Sequence, residues 1–205
     1  MTASWFAPAA VVTLTAEIKK SRFITLLSPT RGTDAAKAYI LQCRKQHPTA
    51  AHHCWAYIAG PPFDSLQRGF SDDGEPSGTA GKPMLAQLDG SGLGEITAVV
   101  VRYYGGIHLG TGGLVKAYGG GVQQALKQVS PVTRVPRRRF VLRCDYPQLA
   151  WVEAAVQQAE GLIVEGDYRE SIILTLEIPV HHIAMANDTL RDLSRGALQL
   201  TPVPQ

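Results

Sequence analysis

Runs of apolar residues, punctuated by glycine, proline and charge, divide the chain into elements of two periods. "SRFITLLSP" (21–29) is too short for a helix and sets Phe23 among bulky aliphatics, which predicts a strand. "TDAAKAYILQCRKQHP" puts Ala36, Ile40 and Cys43 on one helical face. Thr33 or Asp34 can cap its start and Pro48 stops it. "HCWAYIAG" (53–60) predicts a second strand ending in a Gly-Pro-Pro turn, and "SLQRGFSDDGEPSG" (65–78) a strand edge entering a polar loop. A short helix is expected in "TAGKPMLAQLDGSG" (79–92), with Thr79 near its cap and Met84, Leu85 and Leu88 facing inward. "EITAVVVRYYGG" (95–106) is a continuous apolar run and predicts a strand buried on both faces. A glycine-rich stretch then feeds "GLVKAYGGGVQQALKQV". There Leu114, Ala117, Val122 and Leu126 make an apolar stripe, although three consecutive glycines cost helix propensity.

"SPVTRVPRRR" (130–139) has two prolines, a run of charge and no apolar periodicity, which predicts a boundary between domains at 1–133 and 134–205. Beyond it, "RFVLRCD" alternates through Phe140, Leu142 and Cys144, and a helix from Pro147 buries Leu149, Val152, Val156 and Ala159 before Gly161. "LIVEGDY" and "ESIILTLEI" predict two strands, the second alternating through Ile172, Leu174, Leu176 and Ile178. A last helix sets Ile183, Ala186, Leu190 and Leu193 on one face and ends at Gly196, and "ALQLTPV" closes. The order βαββαβ is the ferredoxin-like plan, so the whole reads as a two-domain α+β protein.

Composition narrows the class. A chain of 205 residues that is 45% hydrophobic and 18% charged is ordinary globular material, which excludes disorder. Cys43, Cys54 and Cys144 are odd in number and form no CxxC pair, so neither a disulfide framework nor a zinc knuckle is expected. The start has no basic segment followed by a long apolar core, and no apolar run is long enough to span a bilayer. A cytoplasmic protein without a membrane partner is the expectation. Charge is uneven: residues 1–135 carry 13 Lys and Arg against 8 Asp and Glu, whereas residues 136–205 carry 7 against 9. A polyanionic partner would therefore prefer the first domain.

Four stretches could carry chemistry. Gly105, Gly106, Gly110, Thr111, Gly112 and Gly113 lie between a buried strand and a helix that contains Lys116, a context in which backbone amides can approach phosphate. The spacing is neither a Rossmann fingerprint nor, at Gly81, Lys82 and Pro83, a Walker A loop. Tight turns and close packing of helix on sheet would use the same glycines. Asp72, Asp73 and Glu75 in "SDDGEP" could hold a divalent ion, serve acid–base chemistry or simply cap a solvated turn. His47, His52, His53 and Cys54 raise metal binding and a Cys–His nucleophile. On a strand, however, His52 and His53 point to opposite faces, and one of them paired with the acidic loop is the better use. Arg102, Tyr103 and Tyr104 end the buried strand beside the glycines, where guanidinium and aromatic planes can hold phosphates and stack bases. No metal and no cofactor are called for.

"GFSDDGEPSGTAGKPMLAQL" followed by "VVVRYYGGIHLGTGGLVKAYGGGV", with "KKSRFI" (19–24) and "LSRGALQL" (193–200), resembles the signature of the IMPACT family in its bacterial branch. The resemblance implies a first domain similar to the second domain of ribosomal protein S-five and to domain IV of elongation factor G. It also implies a ferredoxin-like second domain similar to that factor's domain V. Those relatives sit on structured RNA, and eukaryotic members are linked to control of translation initiation. The expectation is a binding protein for RNA or a ribosomal surface, with Arg102, Lys116, Lys82 and the glycine backbone on phosphates and Tyr104 or Tyr103 as a stacking platform. A nucleotide-dependent or hydrolytic enzyme using the glycine-rich and acidic loops, and a regulator that binds a protein partner in translation control, are the alternatives.

Overall fold

The computed structural model describes residues 4–203 and divides into two compact units, one from Trp5 to Arg134 and one from Val135 onward. The first unit is a five-stranded antiparallel sheet in the order β2-β3-β6-β4-β5. Its elements along the chain are β1 (Trp5–Pro8), β2 (Val12–Ile18), β3 (Ser21–Pro29), α1 (Thr33–Gln46), β4 (His52–Ile58), β5 (Arg68–Ser71), α2 (Gly81–Ser91), β6 (Ile96–Tyr103), α3 (Gly110–Leu126) and β7 (Pro131–Arg134). Helices cover both faces, which is why the central β6 reads as unbroken apolar sequence although the sheet is antiparallel. Ile96, Ala98 and Val100 pack with Met84, Leu88, Leu114 and Tyr118 from α2 and α3, while Val99 and Val101 pack with Ala36, Ile40 and Cys43 from α1.

Of the three consecutive glycines of α3, Gly121 serves packing. A Cβ on Gly121 would lie 2.6 Å from the Thr25 hydroxyl on β3, whereas one on Gly120 would meet open space, so α3 approaches β3 closely at Gly121. Thr79 does not cap α2, whose N-cap is Ala80; the capping comes from Asp72, as described below. The stretch expected to hold the boundary is itself largely strand. Residues 131–134 form β7, antiparallel to β1, and Arg137 already begins the next strand. A ribbon of two short strands buries too little apolar surface to leave an alternating pattern, and its prolines, Pro8 opposite Pro131, sit at a ribbon end where no ladder bond is lost.

The second unit runs β8 (Arg137–Cys144), α4 (Leu149–Gln158), β9 (Leu162–Tyr168), β10 (Ile172–Pro179), α5 (Ile183–Ser194) and β11 (Thr201–Pro202), with all pairings antiparallel in the order β11-β8-β10-β9. Phe140, Leu142, Val152, Val156, Ile172, Leu174, Leu176 and Leu190 form its core. β9 is exposed at every residue. Among the described residues no helix is long and apolar enough to cross a membrane.

Candidate functional site

Alternation along β6 decides which side chains meet. Arg102 continues the series Ile96, Ala98, Val100 and so enters the layer beneath α3, only 5% exposed. A guanidinium buried there requires a partner. Arg102 Nη1 donates to Glu75 Oε1 at 2.6 Å, and the Tyr118 hydroxyl donates to the same oxygen at 2.7 Å. Arg102 Nη2 reaches Ser21 Oγ at 3.4 Å, while Nε is buried without a partner. Burial first, then Cys54, pushes the Tyr118 phenol far above its ordinary range, so it remains a donor to the carboxylate.

The acidic loop is mostly structural. One Asp72 oxygen accepts from the amides of Ala80 and Gly81 and the other from Gly78, which caps α2 from outside the helix. Against the upward pull of burial, those amides hold its carboxyl below the usual range. Asp73 accepts from Arg44 Nη2 at 2.6 Å and from the His53 amide at 2.7 Å, and Arg44 likewise overcomes burial to lower its carboxyl. Both histidines reach this loop, from opposite faces of β4. His52 Nδ1 donates to the Asp73 carbonyl at 2.8 Å, and its Nε2 stands 3.8 Å from Glu75 Oε1. His53 turns under α1, with Nε2 donating to the His47 carbonyl. Cys54 is buried, its thiol bonded to the Asp72 carbonyl, and burial pushes its pKa up to about 12. It offers practically no thiolate near neutrality, so the Cys–His nucleophile has no support in this geometry. Among the described residues no group of three or more His, Cys, Asp or Glu side chains converges as a metal site.

The residues expected to bind phosphate fall into three places. Arg102, Tyr104, Gly110 and Thr111 line a cleft of about 480 Å³ at the head of α3, together with His52 and Glu75. Lys82 and Lys116 line a separate groove of about 630 Å³ between α2 and α3. Tyr103 lies on the far face of the sheet, bonded to His47 Nδ1 at 2.9 Å with the Arg22 guanidinium 4.3 Å from its ring centre. Gly105 and Gly106 lead from β6 toward α3. A Cβ on Gly105 would fall 2.1 Å from the backbone of Lys20, so this glycine lets the β2–β3 hairpin press against the end of β6. Gly112 has open space at its Cβ position, and Gly113 packs on Leu109.

Sequence reasoning missed Tyr118 and the Lys19–Lys20 hairpin tip. Tyr118 lies one turn from Leu114 and from Val122, so helical spacing places it inward, but nothing in the pattern foretells a hydroxyl shared with Glu75.

The Impact N-terminal domain family matches residues 19–126, and a domain of unknown function, DUF1949, matches residues 142–197. The IMPACT family member YigZ of Escherichia coli is 57% identical over 202 residues, which is 98% of this chain and 99% of that one. A family member from Haemophilus influenzae is 52% identical over 96% of this chain and 95% of its own length. YvyE of Bacillus subtilis is 37% identical over 87% of this chain and 82% of its own. A crystal structure described as that of a hypothetical protein superposes with a TM-score of 0.81 at 56% identity, covering 100% of this chain and 99% of that one. With a family domain over half its length and relatives of this identity from end to end, the chain belongs to the IMPACT family.

Proposed function

We propose that the chain is an RNA-binding protein that acts on a structured RNA or ribosomal surface in the control of translation. Charge placement in the first unit carries this reading. Five of its eight acids are engaged within the fold: Glu75 on Arg102, Asp73 on Arg44, Asp89 on Arg68, Glu95 on Arg134, and Asp72 on the head of α2, while Glu17 and Asp34 are exposed and Asp64 is partly exposed. Exposed Lys82 and Lys116 have no ion-pair partner among the described residues, and both face the α2–α3 groove. Gly78, Gly119 and Gly120 keep the wall of that groove low, so a sugar–phosphate chain can lie close to helix backbone. We also infer that the second unit is ferredoxin-like, from its β-α-β-β-α-β order, and that the first is of the ribosomal protein S-five second-domain kind. Both assignments support an RNA-facing role through the resemblance to translation factors.

The test is titration of purified protein against a structured RNA at two salt concentrations. Affinity should fall as salt rises. Lys82→Glu with Lys116→Glu should weaken binding and flatten the log–log slope by about 0.7–0.9 for each phosphate no longer neutralised. No binding at low salt, or binding indifferent to salt, overturns the proposal. A protein-binding role has one observation in its favour. Phe63 and Leu66, just before the edge strand β5, and Phe70 on it are 62%, 91% and 47% exposed. Leu66→Asp would abolish capture of a protein partner and leave RNA titration unchanged.

A further inference from the structure

The cleft at the head of α3 is lined by two chemically different sets of groups. One set offers acceptors. Both bonds to Glu75 go to Oε1, which leaves Oε2 over. His52 lines the cleft beside it, its Nδ1 donating to the Asp73 carbonyl and its Nε2 3.8 Å from Glu75 Oε1. The other offers donors, because α3 begins at Gly110 with no side-chain cap and no acid in its first turn, and Gly110 and Thr111 line the cleft. Tyr104 also lines it, 47% exposed, with the Arg102 guanidinium 5.4 Å from its ring centre. Arg102 lines the same cleft, is 5% exposed and keeps a buried Nε with no partner. About 480 Å³ is within the range of small-ligand sites.

A matching occupant carries an anion, a planar ring and an N–H donor. We propose that the cleft holds one unstacked nucleotide of an RNA strand. Its phosphate lies on the first-turn amides of α3, its base on Tyr104, and the exocyclic amino group of adenine or cytosine meets Glu75 Oε2. Uracil offers a carbonyl where those bases carry the amino group, so it sets an acceptor against the carboxylate. The proposal rests on the RNA-binding reading and deepens it: the α2–α3 lysines hold the strand, and the cleft reads one base.

The experiment measures binding of the full chain to short single-stranded oligoadenylate, oligocytidylate and oligouridylate, with AMP, CMP and UMP as free-nucleotide arms. The adenine and cytosine strands should bind about 10-fold tighter than the uridine strand, and Tyr104→Ala should remove about 10-fold from them, in line with the worth of a base–aromatic stack. Gly112→Asp is the second variant. Its carboxylate enters the first turn where the Cβ has open space, so it should raise the melting temperature while lowering affinity for every strand. Three outcomes overturn the proposal in distinguishable ways. Equal affinity for all strands, insensitive to Tyr104→Ala but abolished by Lys82→Glu and Lys116→Glu, removes the base-reading cleft and leaves RNA binding standing. Tyr104-dependent binding of AMP or CMP without any RNA binding removes the strand as the source. Binding of neither removes both readings.

Discussion

At the tip of the β2–β3 hairpin, Lys19 and Lys20 hold φ angles of +48° and +63°. Two consecutive left-handed residues are the requirement of a tight two-residue hairpin turn, for which Asn-Gly is the unstrained choice. Side-chain-bearing residues there cost about 1 kcal/mol or more each. The lysines stand where the fold would prefer smaller residues, and their backbone presses on Gly105 at the end of β6, beside the cleft-lining Tyr104. Lys19→Asn with Lys20→Gly should therefore stabilise the first unit by about 1–2 kcal/mol, seen as a rise of a few degrees in Tm, while RNA affinity falls. A stabilised variant that binds as well as the parent would mean that these charges do not touch RNA.

At the scale of elements, two helices begin on the same side of the sheet and are treated oppositely. Asp72 closes the head of α2 with three amide bonds, whereas the head of α3 has no side-chain cap. Asp72→Ala should cost about 2 kcal/mol, readable by urea unfolding, because charged caps are among the stronger hydrogen bonds. The pH dependence has a definite sign. Asp72 and Asp73 have carboxyls depressed in the folded state. Their stabilisation is fully present above the ordinary carboxylate value of about 4 and is lost as pH falls through the depressed values. Asp72→Ala should thus flatten the acid limb of the stability curve below about pH 4 and leave its slope near neutrality unchanged.

These elements also show what could be read in advance. β3, β6, α1 and α5 announce themselves because each buries a full face, and a buried face writes its period into the sequence. β2 and β7 do not, since their side chains are largely exposed, and β1 buries only Ala7 and Pro8, too few to write a period. The cap on α2 spans a loop rather than one turn, so sequence proximity favours Thr79, the nearest hydroxyl, over the residue that does the capping. Arg102 and Glu75 are legible as polar residues beside a buried strand. That they pair, under the hydroxyl of Tyr118, depends on β6 register and on a loop fold that only packing determines.

On the scale of the whole molecule, each unit has a core of its own, and the first closes on itself. β1 at its start pairs with β7 at its end, and Glu95 holds Arg134 at 3.0 Å. A fragment of residues 5–134 should therefore melt cooperatively and retain the salt-dependent RNA affinity of the full chain, since every lysine invoked for binding lies within it. A fragment of residues 9–134, without β1, loses the pairing of its ends and should melt several degrees lower. Residues 135–203 should fold alone but bind RNA weakly, for their charge is slightly acidic, Arg139 is paired with the Glu177 carboxylate and Arg137 is tied to the Glu160 carbonyl. Circular dichroism melts of the three fragments, paired with the RNA titration, separate folding from binding. A folded 5–134 fragment that no longer binds would locate the interface in the second unit and overturn the assignment of Lys82 and Lys116.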